Sequence, residues 1–275
     1  MSKLAIEDEF NDIISKAMAG LRIGDRDLAE ASGVDVDTVR ALARGQLTDE
    51  TSLPKIAPPL NLDPNALLRS ALKSWYPRPV EVDGLRLFAS TYKDMVVNAF
   101  LVWDPASKAA AIFDTGTDAF PILDAIEELE LKATALFITH THNDHIAEAD
   151  SITSRLGIPA FSNNREPYEG GAMTFDEGAE FEIGALKVGT RTTWGHAPGG
   201  TTYVVDGLEQ QLAVVGDAMF AGSMGGGLIS YADALRTNRE QILTLDDNTV
   251  ICPGHGPMTT VGEEKRNNPF FPEFK

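Results

Sequence analysis

Apolar residues along the first 75 positions recur at helical spacing. Ile6, Phe10, Ile13, Ile14 and Ala17 mark one face, and Gly20 reads as a stop. Within residues 25–40, Ala29, then Gly33 four residues on, then Val39 six further have the spacing of a helix-turn-helix. Leu53, Ile56, Ala57, Leu60, Leu67 and Leu68 continue an all-helical core. Residues 75–79, Trp-Tyr-Pro-Arg-Pro, read as a short linker stiffened by two prolines. The pattern predicts a small all-α domain over 1–75 and a second domain over 76–275.

In the second part strands and helices alternate, which is an α/β pattern. Residues 80–89, 98–103 and 109–113 read as strands, with a turn at Asp104 and Pro105 joining the last two. A helix is expected over 119–131, with Ile122, Ile126 and Leu129 facing inward. Residues 133–138, all apolar but for Thr134, form a buried strand, followed by a helix over 145–156 and a short strand over 158–161. Two strand pairs near 180–191 and 201–215, a helix over 231–243 and a strand over 249–252 complete the pattern. There is no internal repeat.

Charge narrows the range of partners. The 275-residue chain carries a net charge of −18, which discourages binding to nucleic acid or anionic membrane. The first 75 residues hold nine Lys and Arg against twelve Asp and Glu. A recognition helix starting near Asp35 and Asp37 would set carboxylates against phosphates, with Arg40 and Arg44 as the only compensation nearby. DNA is therefore an unfavoured partner. Dimerisation through the helical domain, giving a homo-oligomer, or docking onto the second domain is preferred. No apolar run approaches membrane-spanning length, and the acidic N-terminal stretch lacks a basic region followed by an apolar one. A cytoplasmic protein is expected. The single cysteine, Cys252, excludes an internal disulfide. Although it lies three residues before His255, it is expected to end a buried strand.

The chemistry concentrates at residues 139–146, Thr-His-Thr-His-Asn-Asp-His-Ile, directly after the strand 133–138. His140, His142, Asp144 and His145 crowd together there and cannot all find ordinary partners. A divalent cation is their simplest common partner, because neutral imidazole and carboxylate ligate Zn²⁺, Fe²⁺ or Mn²⁺. The two remaining histidines, His196 and His255, lie in Gly/Pro-rich turns after apolar segments, and Asp217 ends the strand 213–216. Seven ligands are too many for one four- to six-coordinate ion, yet suit two ions sharing a carboxylate.

This set, His-x-His-x-Asp-His at 140–145 followed by His196, Asp217 and His255, resembles the metallo-β-lactamase superfamily of hydrolases. The closing stretch 253–270, from Pro253-Gly254-His255-Gly256-Pro257 to Asn267-Asn268-Pro269-Phe270, is similar to small glyoxalase II-like members that hydrolyse hydroxyacylglutathione. The helical part resembles XRE-type helix-turn-helix domains, including the run Leu60-Asn61-Leu62-Asp63-Pro64. The resemblance implies an αββα sandwich with the metals at one edge between the sheets. It also implies that His140, His142 and His196 hold one metal, that Asp144, His145 and His255 hold the other, and that Asp217 bridges both.

Zinc is the first choice of metal, with iron or manganese as alternatives. A bridging hydroxide would attack the thioester or ester carbonyl of a small acyl substrate. Asp144 and Asp217 are the catalytic candidates, Asp144 as an orienter of the water or relay for its proton. Asp114 is expected to hold a ligand histidine or to cap a turn. Glu148 stands where many members have a small residue, which alters the mouth of the site. Arg165 and Tyr168 are candidates for substrate contact, with an exposed salt-bridged loop as the alternative. Residues 224–227 are expected to form a mobile loop beside the site. Lactonase or phosphodiesterase activity, a mononuclear-iron persulfide dioxygenase using His140, His196 and Asp217, and a DNA-binding regulator are the competing readings.

Overall fold

The computed structural model describes residues 3–275. Its N-terminal part is helical: α1 (Phe10–Leu21), α2 (Asp25–Ser32), α3 (Val36–Ala43), α4 (Leu53–Ile56) and α5 (Pro64–Ala71). Local chemistry sets the starts. Asp35 accepts from the Asp37 and Thr38 amides at 3.0 and 3.1 Å and so caps α3. Asp63 caps α5, whose first residue is Pro64, a position where the missing N–H costs nothing. Gly20 does not stop α1 but lies inside it. A Cβ there would stand 2.1 Å from the Tyr231 ring, so the glycine exists for close approach rather than for termination.

Twelve strands follow, in two six-stranded sheets. The first holds β1 (Leu85–Tyr92), β2 (Met95–Trp103), β3 (Ala109–Phe113), β4 (Lys132–Phe137), β5 (Ala160–Asn163) and β6 (Met173–Phe175) in sequential order. The second runs in reverse order, from β12 (Thr259–Thr260) through β11 (Val250–Pro253), β10 (Leu212–Gly216), β9 (Thr201–Asp206) and β8 (Leu186–Thr192) to β7 (Glu180–Ile183). The first strand begins at Leu85 rather than at residue 80 because Asp83 and Gly84 form a turn. Helices α6 (Phe120–Glu128), α7 (Asn143–Ile146), α8 (Ala149–Leu156), α9 (Tyr231–Thr237) and α10 (Val261–Asn267) complete the chain. The helix expected over 145–156 is divided between α7 and α8, where the Glu148 amide turns aside to Thr115 Oγ1. No described helix is long and apolar enough to cross a membrane.

Strand periodicity explains three apolar layers. Phe100, Phe113, Phe137, Tyr203, Val214 and Cys252 fill the space between the sheets. Their neighbours along the strands, including Leu101, Ile112 and Leu136, face outward against Ile122 and Ile126 of α6 and Ile152 of α8. On the far face of the second sheet, Ala213, Val215 and Ile251 share one core with Tyr231 and Ala234 of α9. Ile13, Ile14, Leu28, Leu42, Leu53 and Ile56 of the N-terminal helices belong to that same core. Both faces of β10 are thus covered, which is why it reads as an unbroken apolar run. Residues 75–79 are laid against the body rather than hanging free. The Tyr76 hydroxyl donates to Leu4 O at 2.7 Å, and the Arg78 amide donates to Glu263 Oε1 at 3.1 Å.

Candidate metal centre

Four separate chain segments deliver polar side chains to one edge between the sheets. Strand β4 leads through Ile138 and Thr139 to His140 and His142, and α7 then turns Asp144 and His145 inward. The loop from β8 to β9 carries His196, the end of β10 carries Asp217, and the end of β11 carries His255. The two sheets are tied at this edge. The Thr201 amide donates to Thr139 O at 3.0 Å, the Tyr203 hydroxyl to Ile138 O at 2.8 Å, and the Asn98 amide to Gly254 O at 2.7 Å.

The side chains converge in two sets. His140, His142, His196 and Asp217 form one, and Asp144, His145 and His255 the other; within each set one ligand atom per residue lies within 4.8 Å of the rest. Asp217 faces both. Its Oδ2 stands 3.4 Å from His196 Nε2 and 3.4 Å from His255 Nε2, and its Oδ1 stands 3.3 Å from His145 Nε2. Asp144 Oδ2 lies 3.4 Å from His255 Nε2 and 3.7 Å from His145 Nε2.

Four rings are aimed by an outward partner on Nδ1. His140 meets Thr139 Oγ1 at 3.1 Å, His145 meets Asp114 Oδ2 at 2.8 Å, His196 meets Gly226 O at 2.9 Å, and His255 meets Val96 O at 2.7 Å. Each contact leaves Nε2 directed at the centre, as an imidazole ligand requires. His142 instead offers Nδ1, 2.9 Å from His140 Nε2 and 3.1 Å from His196 Nε2. Of the two roles expected of Asp114, the structure shows the hold on a ligand histidine; its other contacts, accepting from the Thr139 amide and hydroxyl at 2.8 Å each, reach across 25 residues and cap no turn.

Electrostatics fit a cation. Burial opposes charge on His145, yet Asp217 and Asp114 outweigh it and raise its pKa to about 10. Burial likewise opposes charge on His255, but hydrogen bonds to Asp144 and Asp217 carry it up to about 11. His140, buried beside His145, is held well below the ordinary imidazole value. Burial would raise Asp217, but the facing imidazoles keep it well below the usual carboxylate range. The carboxylates therefore concentrate a field that favours positive charge where the rings face them, and the same field attracts a divalent cation. His145 Nε2 and Asp217 Oδ1 are buried with no hydrogen-bond partner among the described residues. Buried polar atoms of this kind are costly unless something satisfies them, and a metal ion held by these residues would do so.

Arg165 and Tyr168 are not brought into the cluster. The Arg165 guanidinium lies 4.8 Å over the Trp194 ring, and the Tyr168 hydroxyl donates to Asp150 Oδ1 at 2.8 Å. The residue between them that matters to the site is Glu166. Its Oε1 accepts from the Thr141 amide and hydroxyl at 2.8 and 2.7 Å, and its Oε2 accepts from the Gly199 amide at 2.7 Å, joining the two histidine loops. Nothing in the sequence marks it beyond its place beside Arg165. Gly254 is a second position whose role no motif marks. A Cβ there would stand 2.2 Å from Asp217 Oδ1 and 2.6 Å from His145 Cε1. The loop after Asp217 lies beside the site, but its first half is fastened: Met224 is buried and its carbonyl accepts from Lys16 at 2.9 Å.

The family model of the metallo-beta-lactamase superfamily matches residues 92–255. The chain is 30% identical over 205 residues to the hydroxyacylglutathione hydrolase GloC of Haemophilus influenzae, a match covering 63% of this chain and 92% of that protein. It is 30% identical over 188 residues to the probable metallo-hydrolase YqgX of Bacillus subtilis, covering 59% and 87%. Among solved structures, the BLEG-1 B3 metallo-beta-lactamase superposes with a TM-score of 0.57 at 25% identity, over 68% of this chain and 99% of that one.

Proposed function

Since the chain belongs to the metallo-beta-lactamase superfamily, we propose that it is a binuclear metal-dependent hydrolase of thioester or ester bonds in small acyl substrates, of the glyoxalase II kind. The observation that carries this reading is the convergence of seven ligand side chains in two sets, with Asp217 facing both. His140, His142 and His196 would hold one cation, Asp144, His145 and His255 the other, and Asp217 both. The chemistry supplied by two divalent cations, when bound, is Lewis acidity toward a carbonyl and a water made acidic near neutral pH.

The chain's own residues provide the rest. Asp114, Thr139, Gly226 and Val96 fix the imidazoles, so little reorganisation accompanies the reaction. Asp144 is kept ionised against burial by His255 and His145. Its Oδ2 faces those rings, which leaves Oδ1 to orient a water and accept its proton. The Haemophilus relative's name, hydroxyacylglutathione hydrolase, supports a hydroxyacylglutathione-like thioester as the first substrate to try. A mononuclear-iron oxidoreductase would use His140, His196 and Asp217 and leave Asp144, His145 and His255 idle; the tight second set favours two ions.

For the N-terminal helices, support falls on packing rather than DNA binding. Arg40 on α3 is held by Asp25 at 3.0 Å and by Asp37 at 2.9 Å, so its charge is already matched within the protein. Metal analysis of the purified protein, combined with a thioester and lactone panel, tests the proposal. Two zinc, iron or manganese ions per chain and hydrolysis of a thioester are expected. One iron per chain with oxygen uptake would overturn it.

A further inference from the structure

The seam between the helical domain and the loop leaving Asp217 holds a largely buried ion pair. Lys16, midway along α1, pairs with Asp8 and donates a second hydrogen bond to Met224 O at 2.9 Å. The Asp8 oxygen that takes Lys16 also accepts from the Ser223 hydroxyl. Asp8, Ser223 and Met224 are buried, and the Lys16 side chain is 23% exposed. Two consecutive residues of the loop are thus held from the helical domain. A buried ion pair often adds little net stability over apolar residues of the same volume, so what it fixes matters more than what it stabilises.

The residues that follow Met224 reach the metal ligands. At Gly225 a Cβ would stand 1.9 Å from Asp217 O and 2.9 Å from His196 Nδ1, so the backbone there is pressed against both residues. The Gly226 carbonyl accepts from His196 Nδ1 at 2.9 Å and sets the angle of that ring. Beyond it, Leu228 and Ile229 are 70% and 54% exposed, so the outward half of the loop has little side-chain packing. The Ile229 and Ser230 amides donate to Gly195 O at 2.9 and 3.0 Å, but Gly195 belongs to the His196 turn and moves with it. Upstream, Glu264 and Asn268 hold Gly222 and Ser223, and Lys16 is the contact that reaches Met224. His145 and His255 take their partners from Asp114 and Val96, outside this loop.

We propose that Lys16 is a positioning residue of the metal centre: by holding Met224 it places the Gly226 carbonyl, and through that carbonyl the His196 ring. The proposal rests on the binuclear reading above and adds that the helical domain tunes one of the two ligand sets. The set of His140, His142, His196 and Asp217 depends on the ion pair, and the set of Asp144, His145 and His255 does not.

Zinc affinities of the full chain, read by competition with a chromophoric chelator, test this. The unaltered chain should take up two ions with two separate constants. Lys16→Met, with its circular dichroism unchanged, should weaken one of them about 10–100-fold, the usual worth of an outer partner of a metal-ligating imidazole, and leave the other little changed. On a His196→Ala background Lys16→Met should add nothing further, because the ligand it acts through is gone. Leu28→Ala is the control for general loosening: it should lower the unfolding midpoint and leave both constants alone. If Lys16→Met does not fold, because it strands the Asp8 charge, Lys16→Met combined with Asp8→Asn removes both charges and carries the same expectation. Unchanged constants in a folded variant, equal loss of both ions, or an undiminished loss on the His196→Ala background would each overturn the proposal while leaving the binuclear reading intact. An unaltered chain that takes up fewer than two ions would overturn that reading, and this proposal with it, before any variant is compared.

Discussion

The metal edge and the seam beneath it each bury a carboxylate, and the two respond in opposite ways. Asp217 is 8% exposed and Glu264 is fully buried. Burial pushes both toward the neutral acid. At Asp217 the facing His145 and His255 overcome it, and the group stays well below the usual range. At Glu264 the partners are neutral: the Gly222 amide, Asn268 Nδ2 and Thr259 Oγ1 donate at 2.9 Å each. These donors do not offset burial, and the Glu264 pKa rises to about 7. Burial thus sets the stakes, and the charge of the neighbours decides the outcome. One region is built to hold positive charge, the other to hold two layers together.

The largest effect should come from breaking the first region. Asp217→Ala removes the one carboxylate that faces both ligand sets, so metal content should fall and turnover of any substrate found should drop by about 10³-fold or more. Metal analysis and steady-state kinetics on the same sample check this; a variant that keeps two ions and its rate would sink the shared-ligand role. Leu28→Ala probes the second region. Leu28 is fully buried in the core shared by the helices and the second sheet. Its truncation should cost about 2–5 kcal/mol of stability, read by denaturant unfolding, with metal content unchanged in the folded protein. If the metal leaves before the chain unfolds, the two regions are less separate than the contrast between Asp217 and Glu264 suggests.

The metal edge was the more legible region because its chemistry is local in sequence. A buried strand ending in three histidines and an aspartate within six positions needs no long-range information to stand out. Cys252 and Asp114 likewise follow from short patterns, and the structure buries the first in β11 and joins the second to His145. The seam was not legible in that way. Helical spacing identifies an apolar face but not what covers it, so the union of Ile13, Leu28 and Leu42 with Ala213 and Val215 could not be read from periodicity. The segment 75–79 reads as a linker from its prolines, whereas its backbone and hydroxyl bonds to Leu4 and Glu263 depend on residues far away in the chain. Gly20 and Gly254 mislead or escape notice for the same reason: each serves a close approach by a distant side chain.

The smallest expected effect concerns Glu264 and the dependence of stability on pH. The folded protein binds this proton more tightly than the unfolded chain does, with a pKa of about 7 against an ordinary value of 4.5. Its contribution is therefore complete below about pH 4.5, declines between 4.5 and 7, and is lost as pH rises past 7. The full swing is at most about 3 kcal/mol at 1.36 kcal/mol per unit. The metal-edge histidines also titrate, so stability of the unaltered chain alone would not isolate this group. Glu264→Gln keeps an acceptor for Gly222 and Asn268 and offers its amide to Thr259 Oγ1, but cannot ionise. Urea unfolding of both proteins from pH 5 to 8.5 should show the unaltered chain losing stability relative to the variant as pH climbs. Curves that run parallel would mean that the carboxyl is as easily charged inside the seam as in water, and the contrast with Asp217 would then rest on the imidazoles alone.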